Sequence, residues 1–186
     1  MPYASLSQLQ TYLNLDPARD EELLNDLLNR ATKAIDRFTD RTFTASDDTR
    51  YYGPEHVEGQ DLFLDSDLLS LSSLTNGDGT TLADTTYWLL PRNRPPYSVI
   101  RLKSAYSWSF NTDGEVAVEG SWGYAADAPD DIVQACVRLA AFFYRQKDAQ
   151  VFGTTAVPGL GLELPATLPA DVRELLAPYR RLWYWF

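Results

Sequence analysis

The sequence is poor in the residues that build most metal centres and covalent frameworks. Its 186 residues include one cysteine, Cys136, and one histidine, His56. A single cysteine excludes an internal disulfide framework and a cysteine-rich zinc site, and a single histidine excludes a multi-histidine metal site. We expect no cofactor. Cys136 falls within an apolar helical stripe and is predicted to be a buried core residue.

Long apolar runs and positive charge are also scarce. No segment approaches the roughly 20 apolar residues of a membrane-spanning helix, and the first residues do not resemble a secretory signal. Lysine and arginine total 16 against 26 aspartate and glutamate, so the net charge is −10. This balance argues against a protein that grips nucleic-acid phosphates over its general surface.

The acidity is concentrated in the middle of the chain. Residues 42–91 contain nine acidic residues and one basic residue, which sum to −8. Two interpretations stay open: a solvated surface, or a surface that repels a polyanion or attracts a basic partner. The candidate residues of this surface, as the lumen or the rim of an assembly, are Glu55, Glu58, Asp61, Asp65, Asp67, Asp78 and Asp84.

Apolar residues recur at helical spacing near both ends of the chain, whereas the middle reads as short strands and tight turns. The predicted helices are a short one capped by Ser5 or Ser7, a long one over about 20–39, one over about 129–147 and a last one that begins at Pro169. The predicted strands lie at 50–52, 62–64, 86–90 and 98–102, followed by a hairpin over about 106–122 that turns at Asp113-Gly114.

These patterns predict an α+β protein that is mainly a helical bundle. Three to four helices from both chain ends would form the bundle, and an antiparallel β region would be inserted into it. We expect a single domain over residues 1–186, helical over about 1–45 and 125–186, with the β insertion over about 46–124.

No arrangement of residues indicates catalysis. His56 lies in an acidic loop without a recognisable nucleophile elbow, and Gly159-Leu160-Gly161 lacks the context of a nucleotide loop. A hydrolase with paired acids has no pattern in its favour. We therefore predict that the protein is not an enzyme.

Aromatic residues form two concentrations. Tyr106, Trp108, Phe110 and Trp122 make up either the core of the β region, which we favour, or a platform for sugars or bases. The second concentration ends the chain, after an apolar Gly/Pro-rich arm over residues 152–168, and either folds back or docks on a partner. The candidate contact residues in the arm and tail are Val157, Leu160, Leu162, Arg180, Arg181, Trp183, Tyr184, Trp185 and Phe186.

Four stretches, in order along the chain, resemble the head–tail connector (adaptor) family of tailed bacteriophages. They are 6–13 with the following helix into 34–43 (AIDRFTDRTF), 71–79 (LSSLTNGDG), 118–124 (VEGSWGY) leading into 129–132 (PDDI), and 168–181 (LPADVRELLAPYRR). The large β insertion and the long aromatic C-terminus depart from the family pattern.

The resemblance implies a structural virion protein at the head–tail junction, assembled in the host cytoplasm. Such proteins form a ring beneath the portal, typically twelve-fold, extend the DNA channel and join the DNA-filled capsid to the tail. The implied partners are further copies of the chain, the portal protein, the next head-completion or tail protein, and passing double-stranded DNA that is not bound specifically; no membrane is implied. The alternative is a carbohydrate- or single-stranded-nucleic-acid-binding module that uses the Trp108/Trp122 face.

Overall fold

The structure is a computed structural model that describes residues 1–16, 20–110, 114–148 and 168–181. The chain divides into two compact units. One unit combines Met1–Asp40 with the described residues from Pro129 onward, and the other is formed by Arg41–Ala128. We call them the helical unit and the β unit.

The helical unit contains four α-helices in the described residues. They are α1 (Leu6–Leu13), α2 (Glu21–Thr39), α3 (Asp130–Asp148) and α4 (Ala170–Leu176). Ser5 caps α1 with a capping box, because its side chain accepts from the Gln8 backbone N–H while the Gln8 side chain bonds back to the Ser5 N–H. Acidic residues occupy the first turns of α2 and α3, where they oppose the positive end of the helix dipole.

One apolar face of each helix packs into the interior of the helical unit. Cys136 lies in α3 within this core, fully buried beside the Thr32 hydroxyl at 3.6 Å, as the sequence predicts. Burial raises the pKa of the Cys136 thiol, so it stays protonated and inert. The largest fully buried side chains here are Leu9, Leu24, Leu28, Ile35 and Ile132.

The β unit contains one antiparallel sheet of six strands. The strands are β1 (Ser46–Tyr52), β2 (Val57–Glu58), β3 (Asp61–Thr75), β4 (Tyr87–Leu90), β5 (Tyr97–Leu102) and β6 (Val116–Trp122). Their order is β1-β6-β3-β5-β4, and β2 pairs with β3 outside that path. β3 is the central element, because its first part pairs with β5 and its second part with β6.

Register shifts between Phe63 and Leu68, and again further along β3, allow this 15-residue strand to serve both neighbours. Where β6 crosses β3, Gly120 fits because a Cβ there would lie 2.2 Å from the Ser70 carbonyl oxygen. The alternating residues of β3, β5 and β6 then meet in one core, whose buried members are Tyr52, Leu62, Leu64, Leu68, Leu74, Ile100, Val116, Val118 and Trp122.

The predicted fold class is wrong in its emphasis. Four helices do come from both chain ends, but the described structure is 39% helical and 29% strand, and the six-stranded sheet has its own core. The sheet was underestimated because β1 and β3 extend well beyond the predicted strands at 50–52 and 62–64. Residues of β1 are exposed on both faces, so they carry no alternating apolar signal.

The predicted hairpin over 106–122 is also wrong. Its second half is β6, which pairs with β1 and β3, whereas residues 106–110, the described part of its first half, contribute an isolated bridge between Phe110 and Gly77. The buried Asn76 side chain holds this segment in place. It accepts from the Ser109 N–H at 3.0 Å and donates to the Ser107 carbonyl at 3.2 Å.

Candidate functional site

The seven candidate acidic residues do not form one uniform surface. Glu55, Glu58, Asp78 and Asp84 are exposed, and the backbone N–H of Thr80 lowers the pKa of Asp78 by hydrogen bonding to its carboxylate. Each of the other three carboxylates pairs with an arginine of the β unit. These pairs are Asp61–Arg101 at 2.5 Å, Asp65–Arg50 at 3.0 Å and Asp67–Arg41 at 2.6 Å.

Asp67 is the one acidic candidate that lies in the interior. Its residue is 4% exposed, and both carboxylate oxygens accept from Nη1 of Arg41, at 2.6 and 2.7 Å. The Arg41 guanidinium also stacks on Tyr124, 5.3 Å from the ring centroid. Asp67 therefore presents no charge at the surface of the protomer, which corrects its place in the predicted acidic rim.

Asp65 belongs to a small polar cluster at the surface. The Tyr52 hydroxyl donates to Oδ1 of Asp65 at 2.7 Å, and Arg50 contacts the same oxygen. Burial, reinforced by the Asp65 carboxylate, raises the pKa of Tyr52 well above its usual range. His56 packs edge-on against the Tyr52 ring and has Nδ1 3.2 Å from Glu55.

The aromatic face proposed as a ligand platform is used in packing. Trp122 is 2% exposed and donates its indole N–H to the Asp48 carbonyl at 3.1 Å. Trp108 and Phe110 pack partly buried against the same core, and the Trp108 indole N–H bonds the Gln60 carbonyl at 3.0 Å. Of the four aromatics, Tyr106 alone is classed as exposed, at 43%. The core interpretation is the one the structure supports.

The β unit also carries a basic region that sequence analysis missed. Residues 85–111 contain four basic residues and no acidic one, a pattern hidden by the acidity that precedes it. Arg92 lies 4.8 Å and Lys103 5.7 Å from the ring centroid of Trp88, which is 36% exposed. Beside them is a surface groove of about 330 Å³, lined in part by Asp84, Tyr87 and Arg92. A count of charge in a sliding window could have found this region.

The candidate contacts at the end of the chain are described only in part. Arg180 stacks on Phe38, 5.3 Å from the ring centroid, and the Arg181 backbone N–H bonds the Thr39 carbonyl at 2.8 Å. Both arginines thus join the end of α4 to α2 within the helical unit. The other predicted contacts lie outside the described residues: Val157, Leu160, Leu162, Trp183, Tyr184, Trp185 and Phe186.

Within residues 1–16, 20–110, 114–148 and 168–181, no three His, Cys, Asp or Glu side chains come together as a metal site. No helix in that part of the chain is both long and apolar enough to cross a membrane. The features left to account for are therefore surfaces: the exposed carboxylates, the basic Trp88 region and the arginines after α4.

A family model described as "Head completion protein" matches residues 4–182. The chain belongs to this family. The match covers all four stretches that carry the resemblance to phage connectors, so the prediction of a connector or head-completion family is confirmed. A search of curated proteins found no significant match.

Solved structures share the fold of this head completion protein. A chain from the neck of an empty gene transfer agent particle, computed with C6 symmetry, is 19% identical, with a TM-score of 0.68 over 98% of this chain and 92% of that one. A chain from the native neck, computed with C12 symmetry, has a TM-score of 0.64 at 19% identity, over 98% and 91%. A chain from the virion of a native gene transfer agent particle is 19% identical, with a TM-score of 0.65 over 98% of this chain and 92% of that one.

Proposed function

We propose that this protein is a non-enzymatic structural component of the virion neck. It forms a ring beneath the portal, extends the DNA channel and joins the DNA-filled capsid to the tail. The observation that carries the proposal is family membership over residues 4–182, together with a fold shared over 98% of the chain with chains of C6- and C12-symmetric necks. The two units would act as one connector domain.

A ring requires two different surfaces on each protomer, because its interfaces run head to tail. We expect twelve copies, assembled in the host cytoplasm, with the portal protein on one side and the next head-completion or tail protein on the other. The twelve-fold number is supported by the C12 symmetry of one similar neck.

Exposed carboxylates support a role for the β unit along the DNA path. A channel must let phosphates pass without holding them, and basic residues there would retain the DNA by releasing its counterions. Glu55, Glu58, Asp78 and Asp84 are exposed and would line such a path, with Asp61 and Asp65 partly neutralised by their arginines. A ring with these four residues wholly on its outer surface would contradict this assignment.

The aromatic tail is proposed as the contact with the portal. Arg180 and Arg181 bring the chain to the surface of the helical unit, and residues 182–186 follow directly. Deleting residues 182–186 should leave the protomer folded, with an unchanged circular dichroism spectrum, and abolish binding to portal-bearing capsids. Substituting Arg173, exposed on α4, with alanine is a matched control that should bind normally.

Electron microscopy of the full chain mixed with DNA-filled capsids that lack a neck tests the function as a whole. We expect ring-shaped density on the portal vertex and retention of packaged DNA. Capsids with an empty portal that receive no density at any protein concentration would refute the proposal. A sugar- or base-binding module is not proposed, since Trp122 and Trp108 are committed to the core.

A further inference from the structure

The two edge strands of the sheet in the β unit differ in charge and in composition. β1 and β4 end the strand order β1-β6-β3-β5-β4, and each is paired on one side within the described chain. An edge strand offers a row of backbone donors and acceptors to another strand. Both edges therefore need protection or a partner.

The β1 edge is exposed and acidic. Ser46 through Thr49 are all exposed, and Tyr51 is 62% exposed. Because successive side chains point to opposite faces of a sheet, the first four residues of the strand are exposed on both faces, and Tyr52 at its end is its one fully buried residue. Asp47 and Asp48 give the strand its negative charge. Asp48 also lies 3.9 Å from Arg50 of the same strand and accepts from the Thr49 N–H at 2.9 Å, so Asp47 is the carboxylate most available to a second copy.

The β4 edge is aromatic and basic. The Lys103 N–H donates to the Thr86 carbonyl at 2.9 Å, so these two residues form a hydrogen-bonded pair of the antiparallel ladder. Because hydrogen-bonded and non-hydrogen-bonded pairs alternate along such a ladder, the backbone N–H and C=O groups of Tyr87 and Leu89 point away from β5. Trp88 lies on this edge, and Arg92 and Lys103 stack against it. The loop that follows β4 adds an exposed Arg94.

The charges of the two edges are complementary. Residues 85–111 sum to +4, in a chain whose net charge is −10. One of these four, Arg101, is paired with Asp61 inside the protomer, and the others lie beside the free edge of β4 or in the loop that follows it. A basic edge and an acidic edge at opposite ends of one sheet suit each other across two copies.

We propose that the β4 edge of one protomer pairs with β1 of the next copy, so that the sheet continues from protomer to protomer. The inference rests on the proposed ring, for which it names an interface. The second copy is the favoured occupant because the two edges form the two different, mutually complementary surfaces that a head-to-tail ring requires. A like-charged pairing of β1 with β1, or of β4 with β4, would be repelled.

Reversing the charge of one edge at a time tests the pairing. R92E/R94E gives a protomer with two acidic edges, and D47K/D48K gives one with two basic edges. Each variant alone should require a protein concentration at least about tenfold higher than wild type for half of the chains to be in rings, because like charges then face each other. An equimolar mixture should recover assembly to within about threefold of wild type, since acidic and basic edges alternate around a ring with an even number of copies.

Matched controls change the same charges elsewhere. K33E/R37E and E22K/D26K reverse exposed residues of α2 in the helical unit, and mixing them should give no mutual rescue. The full chain is followed by sedimentation velocity and by negative-stain microscopy, alone and on DNA-filled capsids that lack a neck. Circular dichroism and thermal melting confirm that each variant is folded.

Four results would overturn the pairing of β4 with β1, and they differ in what they mean for the proposed function. Wild-type rings with unimpaired R92E/R94E and D47K/D48K rings would overturn the interface but leave the proposed function intact. Loss of assembly in both variants without rescue on mixing would also overturn the pairing. If R92E/R94E forms normal rings but releases double-stranded DNA, the basic edge binds phosphate and not a second copy. Absence of wild-type rings, free or on capsids, would overturn both proposals.

Discussion

Arg41→Ala should destabilise the β unit more than the loss of any surface ion pair. The Arg41 and Asp67 side chains are 19% and 5% exposed, and their shortest N···O distance is 2.6 Å. Breaking a fully buried pair from one side costs about 3–5 kcal/mol, because the remaining charge is left without a partner. Since Arg41 keeps some contact with water, we expect about 2–3 kcal/mol, including the lost stacking on Tyr124.

The measurement is urea unfolding at pH 7, followed by tryptophan fluorescence. R138A is the control, because Arg138–Asp171 is also an arginine–aspartate pair within hydrogen-bonding distance, at 3.1 Å, but its side chains are 33% and 56% exposed. We expect that control to cost about 0.2–1 kcal/mol. The double variant R41M/D67L removes both charges and should recover most of the loss.

Two results would refute this reasoning. The first is an R41A variant no less stable than R138A, which would mean that Asp67 gains water or another donor when Arg41 is removed. The second is an R41M/D67L variant that is less stable than R41A, which would mean that the packing of the arginine stem, and not its charge, is what matters.

Three further predictions concern the β unit. Because the pKa of Tyr52 is raised in the folded protein, the unfolded chain loses this proton first, and the free energy of unfolding should fall above about pH 10 by up to about 1.4 kcal/mol per pH unit. Y52F should be less stable at pH 7, but its stability, measured by urea unfolding, should fall less steeply above pH 10. An unchanged slope would contradict this prediction. G120A should cost about 1–3 kcal/mol in thermal melts, because its Cβ meets the Ser70 carbonyl, and a neutral result would show that β3 and β6 can separate freely. N76A should cost about 1–2 kcal/mol, because it removes the part-buried hydrogen bonds of the Asn76 side chain to the Ser109 N–H and the Ser107 carbonyl. The exposed N29A on α2 is the control, and a loss no larger than that of N29A would contradict this prediction.

Local patterns predicted the helices well. Ser5, the acidic first turns and Pro129 gave the starts of α1, α2 and α3 to within a residue or two. The burial of Cys136 followed from the same apolar stripe. Capping and helical periodicity act between residues three or four apart, so a single sequence contains all the information that they need.

The sheet was harder to predict because its pairing is non-local. β6 lies between β1 and β3, more than 40 residues away along the chain from either, so no short-range signal specified it. The exposed β1 has no alternation to reveal it, and the irregular register of β3 disguises a strand of 15 residues as a shorter one. The predicted hairpin failed for the same reason: adjacent aromatic segments pack in one core without pairing with each other.

The sequence by itself determined the family, the end helices, the burial of Cys136 and the location of the acidic excess. Those features rest on residue order, helical spacing and charge, which need no long-range contact. Only the tertiary structure decided which charges remain at the surface, since Arg41 reaches Asp67, 26 residues along the chain, and Arg101 reaches Asp61 on the neighbouring strand. It also decided that Trp122 is core and that an acidic and a basic edge end the same sheet, because strand order is set by contacts between distant residues.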